Sequence, residues 1–158
     1  MGAFNWAKGW TDLDELGFVA TSDDDLNLDS EFLNVSTRGQ VGPDAEEELN
    51  IGFIITGTIP HSVYLTGRGP IFAGAVSTTP LDDPMITLVF QVTQEVITTN
   101  SSWEDSPNQS LIQATNIQPG DANEAGIVET LPPGGYVLLV ESESGAFGIA
   151  IGEVYKYE

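Results

Sequence analysis

The feature that most constrains this fold is a series of short strand-like runs from residue 32 to the C-terminus. The runs are rich in β-branched and aromatic residues, and segments rich in Gly, Pro, Asn and Asp separate them. The spacing of these runs, without any βαβ unit, predicts an all-β fold, an antiparallel β-sandwich that is jelly-roll-like. Only residues 110–117 look helical. The predicted strands are 32–38, 49–57, 62–67, 85–92, 95–98, 125–131, 135–142 and 147–157.

The segment LPPGGY predicts one connection in detail. Pro132 and Pro133 end a strand because they lack amide donors. Gly134 and Gly135 tolerate positive φ, so a tight turn can follow. The runs on both sides are heavily apolar, and we therefore expect them to form a hairpin that lies centrally in a sheet.

Residues 1–31 differ from the rest and are predicted to form an N-terminal extension to a β-sandwich domain of residues 32–158. Large aromatic side chains are costly to leave in water. They either pack on their own domain or act in assembly, as a donor strand or arm that anchors a neighbouring subunit. The candidate anchors are Phe4, Trp6, Trp10 and Phe18.

Charge and composition exclude several classes of function. The 158 residues contain four Lys+Arg against 24 Asp+Glu, a net charge of −20. Nucleic acid and anionic membrane surfaces would repel such a chain. A high-salt setting, divalent-cation binding and simple solubility all remain compatible with it. No apolar run approaches the ~18 residues of a membrane span.

Residue types also argue against catalysis. The chain has no cysteine, which excludes disulfides, thiol nucleophiles and thiolate metal sites. Its one histidine, His61, has no G-x-S-x-G elbow to work with, and a zinc site would require several His or Cys. Abundant carboxylates alone do not indicate a glycosidase pair. We therefore expect no enzyme activity.

Several sequence motifs occur in an order that resembles that of a known module. They are NVSTRGQVG, NIGFIITG, TNSSWEDS, EAGIVETLPPGGYVLLV, GIAIGEVYKYE and the run P-x-x-V-x-L-x-G-R-G-P at 60–70. Over residues 32–158 the set resembles a β-sandwich found at the C-terminal ends of secreted bacterial surface proteins, similar to pre-peptidase C-terminal domains. The resemblance implies an extracellular or cell-surface location and a module without catalysis of its own. Arg68 fills a basic position of that pattern, whereas Ser101 stands where the family has an acid in N-D-x-W.

Two segments offer oxygen ligands for Ca²⁺, which takes about 6–8 oxygens. The acidic run at 23–29 alternates ligands as an EF-hand does, but Leu28 stands where the loop needs Gly, and Asn34 where it needs Glu. Its candidate ligands are Asp23, Asp25, Asn27 and Asp29. The candidates in the second segment, which includes TTNSSWEDSPNQ, are Asn100, Asp105, Asn108, Asp121 and Glu124.

The second segment also has a structural interpretation, which we prefer. Trp103 would be a hydrophobic plug at a corner of the sandwich, and the polar residues would bond the turn. Ser101 removes an obvious metal ligand from this loop, which weakens the calcium hypothesis.

Three hypotheses of function remain. The first is a non-catalytic extracellular structural subunit, a filament or surface-layer component that forms a homo-oligomer or homopolymer through its extension. The second is a carbohydrate-binding or adhesion module that uses Trp103 as a stacking platform, which requires Trp103 to be exposed. The third is a virion surface protein.

Overall fold

The computed structural model describes residues 34–44, 47–74 and 79–157. All eight strands predicted from the sequence are present, with small shifts at their ends. They are β1 Asn34–Val41, β2 Leu49–Ile55, β3 His61–Arg68, β4 Pro84–Phe90, β5 Glu95–Asn100, β6 Ala125–Leu131, β7 Gly134–Ser142 and β8 Gly148–Tyr157. The short helix α1 spans Gln109–Ala114, and 3₁₀ turns lie at Pro70–Phe72 and Trp103–Asp105. None of the helices within these ranges is long and apolar enough to cross a membrane.

The strands form two four-stranded sheets. Sheet A has the order β1-β8-β3-β6, and sheet B has the order β2-β7-β4-β5. All neighbouring strands are antiparallel, and β1 pairs with β8, β2 with β7, β3 with β6 and β4 with β5. The chain therefore pairs like one long hairpin wrapped into two sheets, which is the jelly-roll arrangement. The predicted jelly-roll-like β-sandwich is confirmed.

The hairpin predicted at LPPGGY is wrong. β6 belongs to sheet A and β7 to sheet B, so Pro132 and Pro133 lie in a crossover between the sheets. Neither Gly134 nor Gly135 has a positive φ. Both belong to β7, where a Cβ would meet Phe90 or Gln91 at less than 3 Å. The central position predicted for both strands holds for β7, whereas β6 is the last strand of sheet A.

The main core lies between the two sheets. Strand alternation directs Val63 and Leu65 of β3 inward from sheet A, and Leu138 and Val140 of β7 inward from sheet B. Each side chain of this kind contributes roughly 1.5–3 kcal/mol when it leaves water. The period of two in the sequence therefore decides which face of each strand is buried.

A second, smaller core lies on the opposite face of sheet A. Tyr64 of β3 and Val128 of β6 pack there against Trp103 and Ile112. Because α1 and the 3₁₀ turn at Trp103–Asp105 supply these partners, the segment between β5 and β6 covers the outer face of the β3–β6 pair. This cover forms one wall of the candidate site.

Candidate functional site

Trp103 is buried, with only 7% of its surface exposed. Its indole Nε1 donates a hydrogen bond to the carbonyl of Asp121 at 3.1 Å, and its ring lies in the small core beside Tyr64 and Ile112. The indole is thus both packed and satisfied. It has no free face for a sugar, so the carbohydrate hypothesis loses the platform on which it was based.

The side chains of two asparagines near Trp103 form hydrogen bonds with the backbone of β6. The Asn100 side chain donates to the carbonyl of Ser102 at 2.7 Å and accepts from the amide of Gly126 at 2.9 Å. The Asn108 side chain donates to the carbonyl of Val128 at 2.9 Å. These bonds give the N-x-x-W pattern a local physical reason, because the asparagine fixes the chain that presents the tryptophan.

Glu124 is fully buried, and its carboxylate is occupied. One oxygen accepts from the amide of Ile71 at 2.9 Å, and the other accepts from the amide of Gly120 at 3.1 Å. Both partners are backbone groups that would otherwise lack an acceptor. Glu124 therefore serves as an internal cap for two loops.

The other predicted ligands of this segment do not converge with Glu124. Asp105 and Asp121 are exposed, and Asp121 accepts the amide of Asn123 in a local turn at 2.9 Å. Within the described ranges no three His, Cys, Asp or Glu side chains form a group that could hold a metal ion. The structure thus does not bring Asn100, Asp105, Asn108, Asp121 and Glu124 together as a calcium cage. Asp23, Asp25, Asn27 and Asp29 lie outside the described residues, as do Phe4, Trp6, Trp10 and Phe18.

A cleft lies between the end of α1 and the end of β8, and we call it the tyrosine cleft. Its volume is about 520 Å³, within the range of pockets that hold small molecules. Tyr64 and Tyr155 face each other on adjacent strands, with ring centroids 5.7 Å apart. The lining residues are Tyr64, Ala114, Thr115, Ile117, Tyr155, Lys156 and Tyr157.

A polar network lies beside the tyrosines on the same face. Arg68 Nε is 3.1 Å from a carboxylate oxygen of Glu153, and the hydroxyl of Thr66 donates to that oxygen at 3.1 Å. The guanidinium also donates to the carbonyl of Ile117, which joins β3 to the wall of the cleft. Because Arg68 and Glu153 are only 12% and 16% exposed, the pair is shielded from much of the solvent.

Burial changes the acidity of the tyrosines. Burial is the main cause that raises the pKa of Tyr155 to about 12, and the hydrogen bond with Glu153 and its negative charge add to this. Burial also raises the pKa of Tyr64, against the opposing effect of the Arg68 guanidinium. Both hydroxyls therefore stay protonated at neutral pH and can act as hydrogen-bond donors.

The outer face of sheet B carries a row of valines, of which Val89 is only 7% exposed, and Thr87 and Glu141 lie on the same face. Val137, Val89 and Val96 lie side by side across β7, β4 and β5, pointing away from the core. On the same face, Leu139 is half-buried and Ile54 is 73% exposed. A sheet face in water normally carries polar residues. This second surface is therefore a candidate for contact with another protein.

The tyrosines of the cleft were not among the residues singled out from the sequence. The sequence contains a pattern that could have indicated them. Tyr64, Thr66 and Arg68 are alternate residues of β3. Glu153, Tyr155 and Tyr157 are alternate residues of β8. Alternate residues of a strand share a face. The sequence does not show that these two strands are neighbours. His61, the only histidine, lies exposed at the first position of β3.

Comparison with known proteins finds similar solved structures. The structure is similar to the crystal structure of the pre-peptidase C-terminal domain of collagenase from Bacillus anthracis, with a TM-score of 0.49 and 11% identity over 77% of this chain and 89% of that one. The ordered motifs in the sequence resembled this same class of module. At this level of similarity it supports no statement about activity or ligand. No protein-family model and no curated protein sequence matches the chain.

Proposed function

We propose that this chain is a non-catalytic structural module of the extracellular space or the cell surface that assembles with further copies of itself. The observation that carries the proposal is the group of exposed aliphatic side chains on the outer face of sheet B, where Val96 is 55% and Ile54 73% exposed beside the half-buried Val137. A second copy can bury these exposed aliphatic side chains. The proposal includes a filament or surface layer as the final assembly.

The open edge beside this row favours the same mode of assembly. β5 is one of the two edge strands described in sheet B, and Val96 and Ile97 on it are 55% and 40% exposed. Edge strands offer unpaired backbone groups to another chain. In the proposal, the extension of one copy is the donor strand for the next, with Phe4, Trp6, Trp10 and Phe18 as anchors. A contact of this head-to-tail kind does not close and gives a polymer.

The net charge of −20 adds a condition to the assembly. Copies of the chain repel one another at low ionic strength, and salt or divalent cations screen this repulsion.

We include Ca²⁺ bound by Asp23, Asp25, Asn27 and Asp29 as part of the proposal. Chelation at low ionic strength then lowers the melting temperature, because a ligand that binds only the native state stabilises it. If chelation leaves the melting temperature unchanged, the calcium element is contradicted. It is also contradicted if chelation lowers the melting temperature of the D25N/D29N variant as much as that of the parent chain.

Sedimentation velocity over a range of protein concentrations, in 0.15 M and 0.5 M salt, tests the assembly. We expect the full chain to form larger species as concentration and salt increase, and the chain without residues 1–21 to stay monomeric. Val96→Lys places a charge in the apolar row, and we expect it to weaken assembly. Gln40→Lys, on an exposed position of β1 in sheet A, is the matched control and leaves assembly unchanged.

Each element of the proposal has a result that would contradict it. A full chain that remains monomeric at every concentration contradicts self-assembly. Assembly that survives deletion of residues 1–21 contradicts the donor-strand element, and assembly that Val96→Lys leaves intact contradicts the sheet B surface.

A further inference from the structure

The edge of sheet B formed by β2 lacks the features that normally protect an edge strand. Among the residues that the structure describes, sheet A ends at β1 and β6, and sheet B ends at β2 and β5. Proteins commonly place a charged side chain or a proline on such strands, because their free backbone groups can pair with another chain. Arg38 lies on β1, Glu95 on β5 and Glu129 on β6. Of these four strands, β2 alone, with the sequence LNIGFII, carries neither a charge nor a proline.

β2 is also regular and open to a further strand. Its seven residues pair with β7 in a continuous register, without a bulge. Within the described part of the chain, the backbone hydrogen bonds outside the strand ladders do not involve residues 49–55. A Cβ on Gly52 would meet nothing within 4 Å, and Ile54 on the same face is 73% exposed. The free side of β2 can therefore accept another strand without a clash at Gly52.

Gly52 also lies at the end of the row of valines on the outer face of sheet B. It is opposite Val137 of β7, and the row continues through Val89 of β4 to Val96 of β5. A strand added at β2 extends this face directly beyond Gly52. If that strand is β2 of a second copy, the rows of the two copies become one face.

The charges next to β2 favour an antiparallel pair of identical strands. Glu48 immediately precedes the strand, and the uncharged Thr56 immediately follows it. In an antiparallel pair centred on Gly52, the middle residue of β2, Glu48 of each copy lies near Thr56 of the other, and the two Glu48 residues are about 26 Å apart along the strands. A parallel pair in register would place the like charges side by side, which is unfavourable. The antiparallel register also pairs all seven residues.

We propose that β2 is the surface through which two copies of this chain pair, antiparallel and about a two-fold axis at Gly52. The inference rests on the proposed self-assembly and deepens it. A head-to-tail contact alone gives a one-dimensional polymer, and a second, two-fold contact joins such polymers side by side into a layer. One pair of seven-residue strands buries little surface, so isolated copies pair only transiently, and repetition along the polymer strengthens the contact.

Disulfide trapping tests the pairing, because the chain contains no cysteine of its own. Directly opposite residues of an antiparallel pair have Cα atoms about 4.5–5.5 Å apart, which suits a disulfide. Full-length Gly52→Cys is incubated with a mild oxidant at high salt, and the covalent dimer is measured on a non-reducing gel. Gln113→Cys is the matched control, at an exposed position of α1 on the outer face of sheet A. We expect Gly52→Cys to cross-link about 10-fold faster than this control, since only position 52 meets its own counterpart in the pair.

Cysteines on either side of Gly52 test the register. In the proposed pair Asn50 of one copy lies opposite Ile54 of the other, so a mixture of Asn50→Cys and Ile54→Cys is expected to form the mixed disulfide, which mass spectrometry identifies. Each variant alone is expected to cross-link slowly, because its own counterpart is about 13 Å away along the strands.

A charge on the edge tests whether β2 itself makes the contact. We expect Ile54→Lys, added to Gly52→Cys, to slow the cross-link about 10-fold, because a lysine on an edge strand opposes pairing. Ile54 is largely exposed, so the variant is expected to fold. Gln113→Lys changes the net charge equally and is expected to leave the rate of Gly52→Cys unchanged.

The results separate this inference from the proposed function. A Gly52→Cys disulfide in a chain that forms no larger species in sedimentation contradicts the filament and supports the β2 pair. The pair is overturned if Gly52→Cys cross-links no faster than Gln113→Cys, if Asn50→Cys alone cross-links as fast as its mixture with Ile54→Cys, or if Ile54→Lys has no effect. Faster cross-linking of Gly52→Cys to Trp10→Cys than to itself also overturns it, because that result assigns the edge to the N-terminal extension.

Discussion

Gly67 of β3 and Gly152 of β8 lie directly opposite each other in sheet A. A Cβ on Gly67 would lie 2.5 Å from Cγ2 of Ile86, and a Cβ on Gly152 would lie 2.4 Å from Cδ1 of Ile51. Both of these isoleucines belong to sheet B. The two missing side chains therefore make room for the aliphatic residues of the opposite sheet.

Replacement of the second glycine is expected to destabilise the fold. Gly152→Ala forces Ile51 and Val140 to move within a filled core, which typically costs about 1–3 kcal/mol. Gly52→Ala is the matched control, because Gly52 also lies in a strand but nothing lies within 4 Å of its added Cβ. We expect that control to be neutral or to gain about 0.4–1 kcal/mol from the unfolded state. Chemical denaturation measures both, and equal free energies of unfolding would show that the close packing is not there.

Glu124 is expected to matter for stability. Glu124→Gln leaves one partly buried amide, that of Ile71 or of Gly120, without its acceptor, and this costs about 1–3 kcal/mol. Glu104→Gln, an exposed change in the same loop, is expected to stay within about 0.5 kcal/mol of the parent. Denaturant melts in Ca²⁺ and in chelator extend the test. The geometry predicts that Glu124→Gln loses the same free energy of unfolding in Ca²⁺ and in chelator. A loss seen only in Ca²⁺ would instead support a metal site at Glu124.

The Arg68–Glu153 pair is expected to show strong coupling. Arg68→Met leaves the Glu153 carboxylate poorly solvated, and Glu153→Gln does the same for the guanidinium, so each costs about 1–3 kcal/mol at this partial burial. The double variant loses less than the sum of the two. Arg38→Met is a control at an exposed position of β1, with an expected effect under about 0.5 kcal/mol. The two single variants and the double variant form a double-mutant cycle. If their losses in free energy of unfolding are additive, Arg68 and Glu153 do not stabilise each other.

Stability is expected to fall as the pH rises above the ordinary tyrosine pKa of about 10. The pKa of Tyr155 is raised to about 12 in the folded chain, mainly by burial, and that of Tyr64 is raised as well. Between these values the unfolded chain has released protons that the folded chain retains, so the free energy of unfolding decreases with pH. The contribution is fully present below pH ~10 and is lost as pH rises through the folded pKa.

Denaturation series at half-unit steps from pH 9 to 12, with tyrosinate absorbance recorded in parallel, measure this decrease. We expect Tyr155→Phe to reduce the dependence on pH, because phenylalanine cannot ionise. A free energy of unfolding that stays constant over the range, or tyrosines that all ionise near pH 10 in the folded chain, would contradict the prediction.

The strands were predictable because their signals are local. A run such as MITLVF has the β-branched and aromatic composition of a strand, and the DDP before it marks a boundary, whatever the rest of the chain does. The burial of every second residue on β8 follows from the same local rule. The LPPGG segment shows the limit of such reasoning, since Pro and Gly end a strand equally well at a hairpin and at a crossover between sheets.

The candidate site was only partly predictable for a related reason. The sequence places Tyr64 and Arg68 on one face of β3, and Glu153 and Tyr155 on one face of β8. It does not show that the two strands are adjacent, because the loops that separate them bear no mark of the pairing. The role of Trp103 as a buried plug, by contrast, was the preferred interpretation of its loop, and the structure places the indole inside the small core.

The sequence by itself determined the strands, the face that each one buries, and the strongly acidic composition, because each depends on composition or on neighbours along the chain. Tertiary structure alone decided that β3 lies beside β8, that β6 and β7 belong to different sheets, and that Glu124 bonds two loop amides. The physical reason is that a period of two specifies the face of a strand but not its neighbour. The tyrosine cleft exists only because that neighbour is β8.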